Sequence, residues 1–223
     1  MINVGEVLET AVNSLKAGKI YLIEKRLYEG KIIEHLLRLS QEDRYMRFGT
    51  SISDQRIEHY VKETIKVGDH IFAIFSADGD IAGLLHMARD MHDKQGFELG
   101  ISIDADHREQ GYAGELFKKA IAFAKTLGAK HIYTYCLSEN KAMQALAKKN
   151  GLNVMLEYGD VTGKLDLKDQ AGFDHLRNLV EFATTEQMMI FDASMQSAVQ
   201  TYLKNFSTLQ NLYKSFTPLF RAG

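Results

Sequence analysis

Phe97-Glu98-Leu99-Gly100-Ile101-Ser102-Ile103-Asp104-Ala105-Asp106-His107-Arg108-Glu109-Gln110-Gly111-Tyr112-Ala113-Gly114 decides the fold, because it carries a strand into a glycine-bearing turn and the turn into a helix. The first seven residues alternate, so that Leu99, Ile101 and Ile103 share one face and Glu98, Gly100 and Ser102 the other. That pattern predicts one core face and one polar face. The helix that follows carries Leu116, Phe117, Ala120, Ile121, Ala124 and Leu127 at helical spacing, and Gly128 ends it. The first N–H groups of such a helix have no intrahelical partner and lie at the positive end of its dipole. They hold a phosphate if side chains let it approach, and Gly111, Ala113 and Gly114 permit that. Working outward, His131-Ile132-Tyr133-Thr134-Tyr135-Cys136 reads as a second strand, followed by Ser138-Glu139-Asn140 and a short amphipathic helix from Ala142 to Lys149, closed by Gly151.

In this order and spacing the chain resembles the GNAT family of N-acetyltransferases. Arg108-x-x-Gly111-x-Ala113 is similar to the family's pyrophosphate loop, and Asn140-x5-Leu146-x4-Gly151-Leu152 to its second motif, whose Asn and helix contact the pantetheine arm. The resemblance covers roughly residues 18 to 167. Within it, Leu39-Ser40-x-x-x-Arg44-Tyr45-x-Arg47-Phe48 looks like the catalytic domains of bacterial protein-lysine acetyltransferases. It implies an α/β fold with a mixed, mostly antiparallel central sheet and flanking helices, and acetyl-CoA as cofactor. The implied cofactor-binding residues are Ile101, Ser102 and Ile103 on the strand, Arg108, Glu109, Gln110, Gly111, Tyr112, Ala113 and Gly114 in the loop, and Asn140. Backbone N–H groups around Ile101 and Ile103 are expected to bind the pantetheine and polarise the thioester carbonyl.

The chain has 223 residues, 45% of them hydrophobic and 25% charged, an ordinary globular composition. The net charge of −2, with both signs mixed along the chain, gives no field to recruit nucleic acid or an anionic membrane. A single cysteine excludes an internal disulfide and a multi-cysteine metal site, so no metal is expected. The opening Met1-Ile2-Asn3-Val4-Gly5-Glu6 lacks the regions of a signal peptide, and no apolar run reaches spanning length. A cytoplasmic location is the expectation.

Three segments follow. Residues 1–17 hold a short amphipathic helix with Val7, Leu8, Val12 and Leu15. Residues 18–167 form the acetyltransferase-like domain. It begins with a strand around Ile20 to Arg26, then helical stretches carrying Ile32, Ile33, Leu36 and Leu37, and Ile57, Tyr60, Val61 and Ile65. A hairpin follows from Ile71-Phe72-Ala73-Ile74-Phe75, the turn Asp78-Gly79-Asp80, and Ile81 to Leu85. Val154 to Tyr158 and Val161 to Leu165 read as closing strands. In residues 168–223, Met188, Phe191, Met195, Ala198, Tyr202, Leu209, Leu212 and Phe216 recur at alternating three and four, Asn205 being the gap, and Thr184 with Gln187 makes a capping box. Such a stripe must be buried, either in a homodimer or on the chain's own core.

Acetyl transfer to an amine needs a neutral nucleophile. An amine of pKa about 10.4 is mostly protonated at pH 7, a handicap of roughly 4.6 kcal/mol that a base must relieve. Glu98 is the candidate, on the polar face of the strand that borders the thioester in the resemblance, where enclosure raises its pKa; a solvated strand glutamate or a structural ion pair is the plainer reading. The resemblance also implies a tyrosine acid just after Leu146, where this chain has Ala147. Tyr135, with Tyr133 beside it, is the substitute, against buried aromatic packing for both. Cys136 reads as a small core residue, His107 as an exposed loop histidine, and His86, His92, Asp90 and Asp93 as a surface cluster with no metal-ligand spacing. Gly159 to Lys164 imitates a phosphate loop but is one residue short and lacks the Ser or Thr. The acceptor is a primary amine, on a protein lysine or a small molecule. The alternative is a catalytically silent acetyl-CoA-binding regulatory or interaction module, and a scaffold built on the long helix is a third reading.

Overall fold

The computed structural model describes residues 17–66, 68–157 and 159–167. The amphipathic segments expected before residue 17 and after residue 167, and the dimer stripe with them, lie outside the described residues. Strand β1 (Ile20–Ile23) leads to helices α1 (Lys25–Arg38), α2 (Gln41–Phe48) and α3 (Asp54–His59), the last running into a π turn over Tyr60–Thr64. Strands β2 (His70–Phe75), β3 (Ile81–Arg89) and β4 (Gly96–Ile103) follow. Then come α4 (Tyr112–Thr126), β5 (His131–Leu137), α5 (Lys141–Lys149), β6 (Asn153–Glu157) and β7 (Asp160–Asp166). The first strand stops at Ile23, short of the expected Arg26, because the Glu24 side chain accepts from the Arg26 amide and caps α1.

The seven strands form one sheet in the order β1-β2-β3-β4-β5-β7-β6. Every pairing is antiparallel except β4 with β5. β7 lies between β5 and β6, so the phosphate-loop imitation at Gly159 to Lys164 is a turn entering a central strand. Helices cover both faces. On one, Tyr28, Ile32 and Leu36 of α1 and Ile57 of α3 pack on Ile71, Ala73, Phe75 and Leu84 of the sheet. On the other, α4 meets Phe72 through Phe123, with ring centroids 5.6 Å apart. Phe72, Phe97 and Phe117 are fully buried, each contributing about 1.5–3 kcal/mol of transfer free energy. No helix among the described residues is long and apolar enough to cross a membrane.

The fact that makes this fold useful is a failure of pairing. β4 and β5 are joined only from Gly96–His131 to Glu98–Tyr133, after which the two parallel strands diverge. Thr134 Oγ1 reaches across to donate to the Leu99 carbonyl at 3.0 Å, at the start of the gap.

Candidate active site

Strand divergence accounts for the first departure from the alternation read in β4. Leu99 is buried, but Ile101 and Ile103 are only half-buried, because β5 has left and they line an opening. Ser102, on the face expected to be polar, is buried instead, covered by α1 and bonded to His35 Nε2 at 2.8 Å. Since the Leu99 carbonyl points toward β5, strand alternation turns the N–H and C=O of Ile101 and Ile103 the same way, into the gap. The cleft that results has a volume of about 510 Å³. Its walls are Ile101, Ser102 and Ile103 of β4, Met46 and Arg47 of α2, Arg108 and Ala113 at the start of α4, and Asn140, Ala142, Met143 and Leu146 of α5.

One end of the cleft is built for anions. A single 3-10 turn, Ala105–His107, brings the chain to Arg108, and Glu109 (φ 61°) and Gly111 (φ 81°) are both left-handed. Gly111 caps α4 without a side-chain hydrogen bond, so among the described residues no side chain fills the phosphate position at the N–H groups of Tyr112, Ala113 and Gly114. Arg108 Nη2 pairs with Asp43 Oδ1 at 2.7 Å, and its guanidinium lies 3.4 Å from the Ile103 carbonyl. Burial would raise the Asp43 carboxyl, but hydrogen bonds from Ser40 and Arg108 outweigh it and hold it below its ordinary value. Of the loop residues expected to hold cofactor, Arg108 and Ala113 line the cleft. Glu109, Gln110 and Gly111 are exposed, Gly114 is half-buried with open space beside it, and Gln110 and Tyr112 line a separate hollow beside Gly18 and Lys19 of the β1 approach.

Asn140 is a brace as well as a wall. Its Oδ1 accepts from the Met143 amide at 3.0 Å, capping α5, and its Nδ2 donates to the Met46 carbonyl at 3.2 Å, tying α5 to α2 across the cleft. Ala147, where the resemblance implies a tyrosine, is 2% exposed and faces the sheet beneath Gly163.

Glu98 is the last paired residue of β4, and it is not itself a wall of the cleft, which β4 joins three residues on at Ile101. It is half-buried, and burial pushes its carboxyl above the ordinary glutamate value; Arg47 opposes the shift, Asp90 adds to it and His86 opposes it. Tyr133 and Tyr135 stack with centroids 6.3 Å apart on the same face as Glu98. Tyr135 is 42% exposed, not buried as expected, because its neighbour strand has diverged. Its hydroxyl donates to Asp90 Oδ2 at 3.0 Å; burial and that bond raise its pKa, making it a poorer acid than an ordinary tyrosine. Tyr135→Phe should therefore change kcat less than about threefold in a steady-state assay, where loss of a general acid would cost about a hundredfold or more.

Other candidates resolve simply. Burial raises the Cys136 thiol, which suits a packing role. His107 is half-buried, not exposed. The surface cluster separates: Asp90 Oδ1 accepts from the His92 and Asp93 amides to build the β3–β4 turn, whereas His86 is buried elsewhere. No group of His, Cys, Asp and Glu among the described residues could hold a metal.

Sequence reasoning missed what surrounds Gly100. Arg47 lies flat on it, in the space a Cβ would occupy, and lines the cleft. Arg47 Nη2 donates to the Tyr60 hydroxyl at 3.1 Å, Tyr60 lies 2.8 Å from His86 Nδ1, and His86 Nε2 lies 3.0 Å from Asp69 Oδ2. A glycine in mid-strand was the one available signal of a close approach.

The fold finds its counterparts in known proteins. The sequence profile of the acetyltransferase (GNAT) domain matches residues 28–153. No curated protein matches the sequence significantly. Among solved structures, the GNAT domain of a Streptomyces lividans PAT is similar at 18% identity over 66% of this chain and 89% of its own, with a TM-score of 0.56. Spermidine N-acetyltransferase from Vibrio cholerae, solved with CoA and spermine, is similar at 19% identity over 68% of this chain and 96% of its own, with a TM-score of 0.54. A GNAT acetyltransferase from Streptococcus pneumoniae gives 17%, 67%, 99% and 0.52 in the same order. The chain belongs to the GNAT acetyltransferase family. It is an N-acetyltransferase, and acetyl-CoA is its cofactor.

The cleft fits that group. N–H groups of the α4 turn and Arg108 would hold the pyrophosphate, Met46, Met143 and Leu146 would lie along the pantetheine arm, and the Ile101 strand edge would offer backbone groups to its amides and to the acetyl carbonyl.

Proposed function

We propose that the chain moves an acetyl group from acetyl-CoA to a primary amine by direct attack, with Glu98 as general base. Acetyl-CoA supplies an activated acetyl thioester. The amine reaches the acetyl carbon from the face that carries Glu98, the nitrogen's proton passes to the Glu98 carboxylate, and the C–S bond breaks to release the thiolate. A CoA thiol is acidic enough to leave unprotonated, so Ala147 in place of tyrosine does not forbid the reaction. The observation that carries this reading is the position of Glu98: half-buried, with a raised pKa, at the residue where the β4–β5 ladder stops, three residues before the cleft wall starts at Ile101. The spermine in the Vibrio cholerae enzyme supports an amine acceptor of this general kind.

The test has two parts. Acetyl-CoA at a hundred times its dissociation constant should stabilise the protein by about 2.7 kcal/mol. That corresponds to a rise in Tm of roughly 5–11 °C for a chain of this size. Thiol release from acetyl-CoA should then depend on added amine. A thermal shift with no amine-dependent release across primary amines and lysine peptides would replace the transferase with a silent acetyl-CoA-binding module.

A further inference from the structure

Arg47 is a half-buried guanidinium in the reaction cleft that makes no ion pair within 4 Å among the described residues, its charge acting on Glu98 only at longer range. A cation taken partly out of water normally recovers the lost solvation from an anion. Among the described residues its one side-chain hydrogen bond goes to a neutral phenol, from Nη2, which leaves most of its donors directed elsewhere. It touches Phe48 and Tyr60 as a cation over their rings, at 5.0 and 5.9 Å to the centroids, so the planar group is held at a fixed angle.

A hydrogen-bond chain lies behind it. Arg47 can only donate, so the Tyr60 oxygen accepts. The same hydroxyl bonds His86 Nδ1, and His86 Nε2 bonds Asp69 Oδ2, the tautomer of the ring setting which nitrogen donates. His86 and Asp69 are buried, with side chains 8% and 9% exposed, and the Lys66 amide holds the same Asp69 oxygen. The π turn that begins at Tyr60 sets the phenol in line. Four residues from α2, the π turn, the β2 approach and β3 thus aim one guanidinium at Gly100, two residues along the strand from Glu98.

The cofactor's phosphates are not the anion this group awaits. They belong at Gly111 and Ala113, where Arg108 already stands, and Ile103 is three residues, about 10 Å, further along β4 than Gly100. Nor do the nearby acids read a cationic acceptor. Asp90 and Asp93 spend their oxygens on the His92, Asp93 and Gln95 amides and the two tyrosine hydroxyls.

We propose that Arg47 receives a carboxylate carried by the acceptor, so that the preferred substrate is a carboxylate-bearing amine such as a free amino acid, and that Tyr60, His86 and Asp69 are positioning residues for it. This rests on the transferase reading, whose amine and base it places on the same face of β4.

Matched pairs that differ only by the carboxylate test it: lysine against cadaverine, and alanine against ethylamine, titrated calorimetrically into the full chain saturated with CoA. Wild type should bind the carboxylated member of each pair about 10- to 100-fold more tightly, the range of a hydrogen bond to a charged group. In Arg47→Gln that preference should collapse to within about threefold, Arg47→Lys should keep part of it, and Tyr60→Phe should reduce it while leaving the binding of cadaverine and ethylamine unchanged. Equal binding within each pair, no binding of either member, or a preference that survives Arg47→Gln would overturn the assignment. Because the readout is binding, selective lysine binding without acetylation would sink the transfer reaction and leave the role of Arg47 standing.

Discussion

Glu98→Gln should lower kcat by about 10²- to 10⁴-fold, the usual contribution of a positioned base, while leaving acetyl-CoA binding within about twofold. The amide keeps the shape of the carboxyl and cannot take a proton. In wild type, kcat/KM should rise with pH through the ionisation of Glu98, displaced upward from the ordinary carboxyl range by burial. The lower limb of that profile should vanish in the variant. Stability should move the other way. A carboxyl whose pKa is raised on folding prefers its protonated form in the folded state, so it contributes full stability below its unfolded pKa and loses it as pH rises through the folded value. On the proposed base role, the ionised Glu98 at neutral pH is therefore a destabilising feature kept for catalysis. Glu98→Gln should raise the Tm measured at pH 7 and leave it little changed near pH 4. A variant with full activity, or one that is less stable at pH 7, would remove Glu98 from the base position.

Ala113→Glu should abolish the acetyl-CoA thermal shift, with a loss of affinity of about a hundredfold or more, without unfolding the protein. The residue is half-buried and lines the cleft in the first turn of α4, beside the N–H groups proposed to hold the cofactor's phosphates. A glutamate there places a negative charge, and the bulk of a longer side chain, in the path of a second anion. For the free protein the same charge sits at the positive end of the helix dipole and stabilises by about 0.3–1 kcal/mol. The paired result, a Tm that is unchanged or higher without ligand and unresponsive with it, separates a blocked site from a damaged fold. A cofactor shift that persists at full size in this variant would mean the pyrophosphate does not use the α4 turn.

Much of this was legible because it is local. The order strand, turn, helix, strand, helix from Phe97 to Leu152 appears in the structure as read, since side-chain period and capping act over a few residues. Gly111 in a left-handed conformation, Asn140 at an N-terminal cap and Glu98 on a strand face are consequences of the same kind. Three misreadings, at Ile101, Ile103 and Tyr135, share one cause. Ile101 and Ile103 were taken for core and Tyr135 for buried packing on the assumption that β5 stays paired with β4, and alternation along one strand says nothing about where its neighbour leaves it.

By itself, then, the sequence determined the elements, the conformation of the phosphate turn and the identity of the candidate base, because periodicity, backbone chirality and motif spacing are carried by near neighbours in the chain. Only the tertiary structure decided where the sheet opens, that Asn140 braces Met46 from 94 residues away, and that Arg47 rests on Gly100 behind Tyr60, His86 and Asp69. Those relations join residues tens of positions apart, and their distances are set by strand register and by how helices pack on the sheet, which no window of the sequence contains.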